Sequence, residues 1–292
     1  MVNLDPLHIQ IICPVRNGGA ALAETLEALA EIRDDNVSLL ISDNYSEDGD
    51  PWRNALSRLN DWQWEIIQPP EPMGRIEHWN WLFGRAEGDL IKPLFVGDRI
   101  GPNYLNTIRK CFAQNPDLSF VFSRFVVLEK ERELPPVPNL ELSRITYDDY
   151  LKNCFEHFNV FGPMSALTFA RAPLRKALPF PLEYPWNADW RLFIECLRHG
   201  PSAFIKEEVI YFNQRIVRFS SGPRAAIYAA IEDWRFLAEL QRISPYATAG
   251  DLWHARLKLV VWHAVMRLGK FVLPKFIQRF FGWCLRKFSS LD

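Results

Sequence analysis

Over the first hundred residues, short apolar runs alternate with amphipathic stretches, and several of the runs end in a polar cluster. No other feature limits the fold as much. Ile9 to Val15 is a brief apolar run of the kind that makes a strand buried on both faces. Gly18 and Gly19 punctuate it, and Leu22, Leu26 and Leu29 then recur at helical spacing with Glu24 and Glu27 between them. Val37 to Ile41 is a second run, Trp64-Glu-Ile-Ile67 reads as a third strand, and Leu90 to Val96 as a fourth that stops at Gly97-Asp98. Pro51 to Leu59 and His78 to Ala86 read as helices between them. Strands that alternate with helices of this length build βαβ units, so the expectation is an α/β fold around a mostly parallel sheet.

In such open sheets, ligands bind in the crevice at the carboxyl ends of the strands. Arg16-Asn17 follows the first run, Asp43-Asn44 the second and Asp98 the fourth. Asn, Asp and Gly also favour turns for conformational reasons alone. Three polar clusters at strand ends are what make a site the better reading.

Beyond residue 115 the alternation stops. Ser119 to Leu128 reads as a strand, and Thr146 opens a helix that runs through Cys154 in the manner of a capping box. Asn187 is placed to cap a helix whose Trp190, Phe193, Ile194 and Leu197 follow a 3.6 period. Val209 to Phe212 is a last strand candidate. From Pro223 onward the pattern is helix only: Ala225 to Arg242, Asp251 to Leu268 and Lys275 to Lys287. The expected division is therefore an α/β domain over 1–222 and a helical extension over 223–292.

Bulk composition excludes several classes. Thirty-four basic residues against 35 acidic ones leave a formal charge of -1, which argues against a nucleic-acid partner. The five cysteines, Cys13, Cys111, Cys154, Cys196 and Cys284, are scattered and never paired as Cys-x-x-Cys. That usage fits reduced thiols in a cytoplasmic compartment and offers no zinc framework. The opening MVNLDPLHIQ has no basic-then-apolar signal region, and the longest uncharged stretch, His157 to Ala170, is too short to span a bilayer.

Five pieces appear in order: Ile-Cys-Pro-Val-Arg-Asn-Gly-Gly (12–19), Ile-Ser-Asp-Asn-Tyr-Ser-Glu-Asp-Gly (41–49), Trp79-Asn80 with Ala-Glu-Gly-Asp (86–89), Leu-Phe-Val-Gly-Asp-Arg-Ile (94–100), and Ala188-Asp189-Trp190. Together, over roughly residues 8 to 220, they resemble the family 2 glycosyltransferases. Members of that family have the GT-A fold, a Rossmann-like sheet flanked by helices, and transfer sugars with inversion from nucleotide-diphosphate donors. The resemblance implies that Pro14, Arg16 and Asn17 border the nucleobase, with Arg16 standing where the family usually has Tyr. It implies that Asp43 and Asn44 contact the nucleoside, and that Arg75 and Asn80 run beneath the diphosphate. A guanidinium suits that last role because it grips phosphate oxygens in a bidentate way, and a solvated loop arginine is an equal alternative.

Asp98 corresponds to the last aspartate of the family's Asp-x-Asp segment, the usual ligand of a divalent cation such as Mg²⁺ or Mn²⁺. Val96 replaces the first aspartate, and a turn role is the alternative for Asp98. Asp189 corresponds to the catalytic base, which takes the acceptor hydroxyl's proton as that hydroxyl attacks the anomeric carbon. Its alternative is service at a helix terminus. Arg215 and Arg218 lie where the family carries a basic loop able to clamp the diphosphate. The implied acceptor is a growing surface polysaccharide or a lipid-linked saccharide. The competing reading is a non-catalytic relative that binds a nucleotide or glycan or scaffolds a membrane complex.

The charge is uneven along the chain. Eight basic residues and no acid fall between Leu252 and Leu291, interleaved with Trp253, Trp262, Phe271, Phe276, Phe280, Phe281, Trp283 and Phe288. Basic and aromatic residues on helices make segments that lie along an anionic membrane surface. The alternatives are a helical cap whose aromatics pack on the α/β domain and a contact in a homo-oligomer.

Overall fold

In the computed structural model, which describes residues 6–32, 34–49, 51–59, 62–127, 132–133, 144–213 and 223–262, the first apolar run is a strand flanked on both sides. β1 (Ile9–Val15) pairs in parallel with β2 (Val37–Asp43), from Ile9 opposite Val37 to Val15 opposite Asp43. On its other side β4 (Leu90–Pro93) pairs in parallel but stops opposite Ile12. Cys13, Pro14 and Val15 therefore overrun β4, and Pro14 lies past the end of that ladder, where its missing N–H costs nothing. β3 (Gln63–Ile67) adds a parallel strand outside β2. Ile9, Ile11, Ile12, Ile41, Leu90 and Ile91 are all at most 2% exposed, the burial expected of parallel strands covered on both faces.

The other half of the sheet is mixed. β8 (Leu167–Ala170) runs antiparallel to β4, and β6 (Phe120–Val127) antiparallel to β8. β9 (Ser202–Phe212) is parallel to β6 with a register break between Ser123 and Arg124. β5 (Arg99–Ile100) closes that side against β9, and β7 (Arg132–Glu133) pairs with β6. The resulting order is β3-β2-β1-β4-β8-β6-β9-β5.

Among the described residues the helices are α1 (Gly19–Ala30), α2 (Arg75–Phe83), α3 (Tyr104–Gln114), α4 (Tyr147–His157), α5 (Arg171–Ala177), α6 (Ala188–Leu197), α7 (Pro223–Ile243) and α8 (Ala249–Trp262). Three readings of the sequence change. Pro51 to Arg58 is a 3₁₀ segment rather than an α-helix. The fourth run ends at Pro93, because Val96-Gly97 turns the chain. α3, α5 and β8 fall where no element was expected. The segment Lys275 to Lys287 lies outside the described residues.

Two compact units emerge. One comprises Met1–Tyr147 with Asn159–Ile216 and contains the sheet. Its amino-terminal edge is pinned by Arg109 of α3, which donates two 2.9 Å bonds to Asp34 and further bonds to the carbonyls of Leu7 and Asn36. The other unit comprises Asp148–Phe158 with Val217–Asp292, so the α4 segment groups with the carboxyl-terminal helices. Within it Ser244 donates to the carbonyl of Leu151, and Arg256 of α8 lies over the Trp234 ring of α7 at 4.3 Å.

Candidate functional site

The crevice forms where the chain leaves β1, β2 and β4. Asn17 adopts φ +54° and joins the first two exits: Ser46 accepts from its backbone N–H at 2.8 Å, and its side-chain oxygen accepts from Glu47 N–H at 2.8 Å. Gly19, the first residue of α1, donates its N–H to Asp48 at 2.7 Å, and Asn44 donates its own to the Val15 carbonyl at 2.8 Å. Asp43 accepts from both the N–H and the hydroxyl of Ser46. The two loops are cross-braced through the side chains of Asn17, Ser46 and Asp48, of which the sequence offered Asn17 as a ligand contact. Arg16, between them, is exposed.

Asn44 and Asn80 act as staples. The Asn44 amide donates to the Met73 carbonyl at 2.8 Å and accepts from Met73 N–H at 2.9 Å, which fixes the approach to α2. The Asn80 amide makes the same paired contact with Phe180, at 3.0 and 2.6 Å. Both side chains present their hydrogen-bonding atoms to the backbone, so they shape the crevice from behind.

Arg75 begins α2, with its guanidinium 4.6 Å from the Trp79 ring centroid and a donated bond to the Pro185 carbonyl. Trp79 is fixed in turn by Phe95 and Phe180, with centroids 5.0 and 5.6 Å away. Pro185 sits just before α6, whose first turn carries Asp189. Arg75 thus ties the strand-end crevice to the segment bearing the expected base. Asn187 occupies the N-cap position without a side-chain cap bond, and the Asp189 carboxylate accepts from Trp190 N–H at 2.7 Å. Asp189 is partly exposed.

Asp98 ends a turn closed by its N–H on the Phe95 carbonyl. Gly97 holds φ +85° there, a left-handed conformation that favours glycine, and gives its N–H to Thr25 of α1 at 2.8 Å. The Asp98 carboxylate is 2% exposed and accepts from Ser165 Oγ at 2.5 Å and Asn213 N–H at 2.9 Å. Burial pushes its pKa up to about 7, against the pull of those two bonds and of Lys92.

Sequence reasoning missed Lys92 and His78. Lys92 lies in β4 with its ammonium group fully buried, donating to the carbonyls of Ser165 and Leu167 and to Tyr104 Oη, and burial holds its pKa well below the lysine range. A lysine inside the apolar run Leu-Ile-Lys-Pro-Leu-Phe was the available signal. His78 Nε2 lies 2.6 Å from Ser42 Oγ, at the end of β2, and the ring is 4% exposed. Burial first, then the charge of Arg16, lowers its pKa to about 4. Nothing in the sequence pairs His78 with Ser42.

The His78 shift has a measurable consequence. Unfolded, the imidazole takes up a proton below its ordinary pKa of 6.5; folded, it refuses that proton until about pH 4. It therefore contributes stability above pH 6.5 that is lost as the pH falls toward 4, on the order of 3 kcal/mol. His78→Gln keeps a partner for Ser42 and cannot ionise in this range. Thermal midpoints measured from neutral to acid pH should fall less steeply for the variant. Parallel curves would remove His78 from the acid sensitivity.

Arg215 and Arg218 lie outside the described residues. Among the described residues no cysteine forms a disulfide, and burial pushes the thiols of Cys13 and Cys154 up to about 12, which makes them unreactive. No helix among the described residues is long and apolar enough to cross a membrane.

No protein-family model matches the sequence, and no curated protein does. Solved structures do. S. aureus TarS 1–349 in complex with UDP-GlcNAc superposes with a TM-score of 0.66 at 13% identity, over 93% of this chain and 78% of that one. The mannosyltransferase PcManGT from Pyrobaculum calidifontis, in complex with GDP-Man and Mn²⁺, gives 0.62 at 16% identity over 98% and 84%. GalNAc-T7 with UDP, GalNAc and Mn²⁺ gives 0.55 at 10% identity over 87% and 55%. Two of the three hold Mn²⁺. In this chain Asp98 is the one carboxylate of its turn, and both its oxygens already accept protein hydrogen bonds. Among the described residues no three His, Cys, Asp or Glu side chains converge as a metal centre. That donor set does not fit a cation held by the protein alone. What the superpositions establish is architecture: the chain has the GT-A fold that its motifs resemble.

Proposed function

We propose that the protein is an inverting glycosyltransferase that takes a nucleotide-diphosphate sugar and passes the sugar to a saccharide or lipid-linked saccharide of a surface polysaccharide. The observation that carries the reading is the span of Arg75 from the strand-end crevice to Pro185, next to the helix bearing Asp189. A diphosphate beside Arg75 meets a fixed cation, and a sugar projecting from it lies toward the segment of Asp189. The Asp189 carboxylate takes the acceptor hydroxyl's proton as the hydroxyl oxygen bonds to the anomeric carbon, and the nucleoside diphosphate leaves with the bonding pair. The nucleotide-sugar donors bound to TarS and PcManGT support the donor class. Arg16, exposed where the family stacks a tyrosine, provides a planar guanidinium face for the base.

A panel of UDP-, GDP- and dTDP-sugars, scored for nucleoside diphosphate release, tests this. One donor should be hydrolysed slowly without acceptor; binding of a donor with no release, with or without saccharide acceptors, would favour a non-catalytic nucleotide-binding relative, a reading that the fully engaged Asp98 carboxylate favours. The same panel in excess chelator tests the metal. Because Arg75 supplies positive charge without a metal ion, donor binding should weaken and remain measurable. Complete loss would make a cation, and Asp98 with it, indispensable.

A further inference from the structure

The outer faces of α7 and α8 have a composition that the site does not use. On α7, Ile227, Ile231 and Trp234 recur at i, i+4 and i+7, all exposed, with Tyr228 beside them 73% exposed. On α8, Trp253, Leu257 and Val260 repeat the same spacing, with Trp253 63% exposed. Arg256, three residues after Trp253 and four before Val260, covers the Trp234 ring, so the two stripes adjoin.

Charge is sorted along with them. The exposed charged residues of α7 are Arg224, Arg235 and Arg242, while Glu232 and Asp233 are buried and Glu239 is partly so. On α8 Lys258 is exposed, and so is Asp251, whose carboxylate accepts from the N–H and hydroxyl of Thr248 at the start of the helix. Contiguous apolar exposure of this kind marks an interaction surface. A two-fold contact between copies would set this patch against itself, arginines against arginines with no exposed acid of α7 to answer them. A peripheral lipid surface answers both properties, because it accepts aromatic and aliphatic side chains at the headgroup level and supplies negative charge around them.

We infer that the α7–α8 face is a docking surface for an anionic lipid bilayer. This places the contact partly on α7, outside the basic stretch from Leu252 to Leu291 that the sequence singled out, and it does not rest on glycosyl transfer. The test is co-sedimentation of the full chain with vesicles of phosphatidylcholine alone and of phosphatidylcholine mixed with phosphatidylglycerol, at low and high salt. The chain should pellet with the anionic vesicles at low salt and stay in solution otherwise. Arg224→Glu with Arg242→Glu should weaken that partitioning by about twentyfold or more, since each cation near such a surface is worth about fivefold. Ile227→Ser with Ile231→Ser, at exposed positions that leave the fold intact by circular dichroism, should weaken it about tenfold or more. Equal recovery in the supernatant over both lipids would overturn the inference. So would undiminished binding of both variants, which would move the contact elsewhere, or a concentration-dependent dimer abolished by the Ser pair in a chain that ignores vesicles.

Discussion

Asp189→Asn should lower kcat by roughly 10²–10⁴-fold while leaving donor affinity nearly unchanged. The amide keeps the shape of the carboxylate and can still accept from Trp190 N–H, so the first turn of α6 stays in place. What it loses is the capacity to take a proton from the acceptor hydroxyl. Donor affinity by calorimetry and turnover against the preferred donor separate the two effects. A loss of affinity that matches the loss of rate would mean that Asp189 holds the donor rather than activating the acceptor, and full activity would remove it from the chemistry.

Lys92→Met should cost on the order of 3 kcal/mol of stability. Methionine nearly fills the volume of lysine, so little cavity forms, but the carbonyls of Ser165 and Leu167 lose a buried donor, and the hydroxyl of Tyr104, which also meets Thr168, loses one partner. The buried Asp98 carboxylate also loses the positive charge that lowers its pKa. A domain of this size loses a few degrees of melting temperature per kcal/mol, so the midpoint should drop by about 6–10 °C. An unchanged midpoint would mean that the buried amine contributes nothing net. Since Ser165 is both a Lys92 acceptor and an Asp98 donor, the variant should also bind donor less tightly at temperatures where it remains folded.

The parallel half of the sheet was legible because its signals are local. β1 and β2 are mostly apolar and buried, and a two-sided environment selects such runs regardless of what lies elsewhere in the chain, while the more exposed β3 is marked by Trp64, Ile66 and Ile67. β8 was not legible: Leu-Thr-Phe-Ala is four residues long and becomes a strand through β4 and β6, its partners across long sequence separations. The 3₁₀ segment at Pro51–Arg58 shows the complementary limit, since helical spacing over eight residues does not distinguish the tighter winding. At the site, the positions carrying charge were readable as strand-end clusters and as the Asp189 helix start. The roles of Asn44 and Asn80 were not, because an amide's backbone partner, Met73 or Phe180, is a property of the folded chain. His78 and Ser42 are 36 residues apart and meet only once α2 lies against the sheet.

The cross-braced loops after β1 and β2 bear on how a ligand would be captured. Their N–H groups at Asn17, Gly19 and Glu47 are already satisfied within the protein, without a bound molecule. Such a rim is preorganised: an entering nucleotide has little backbone to freeze, and the entropic penalty of binding falls mainly on the nucleotide itself. Association at this edge should therefore proceed as a single step limited by encounter and orientation, without a slow ordering phase.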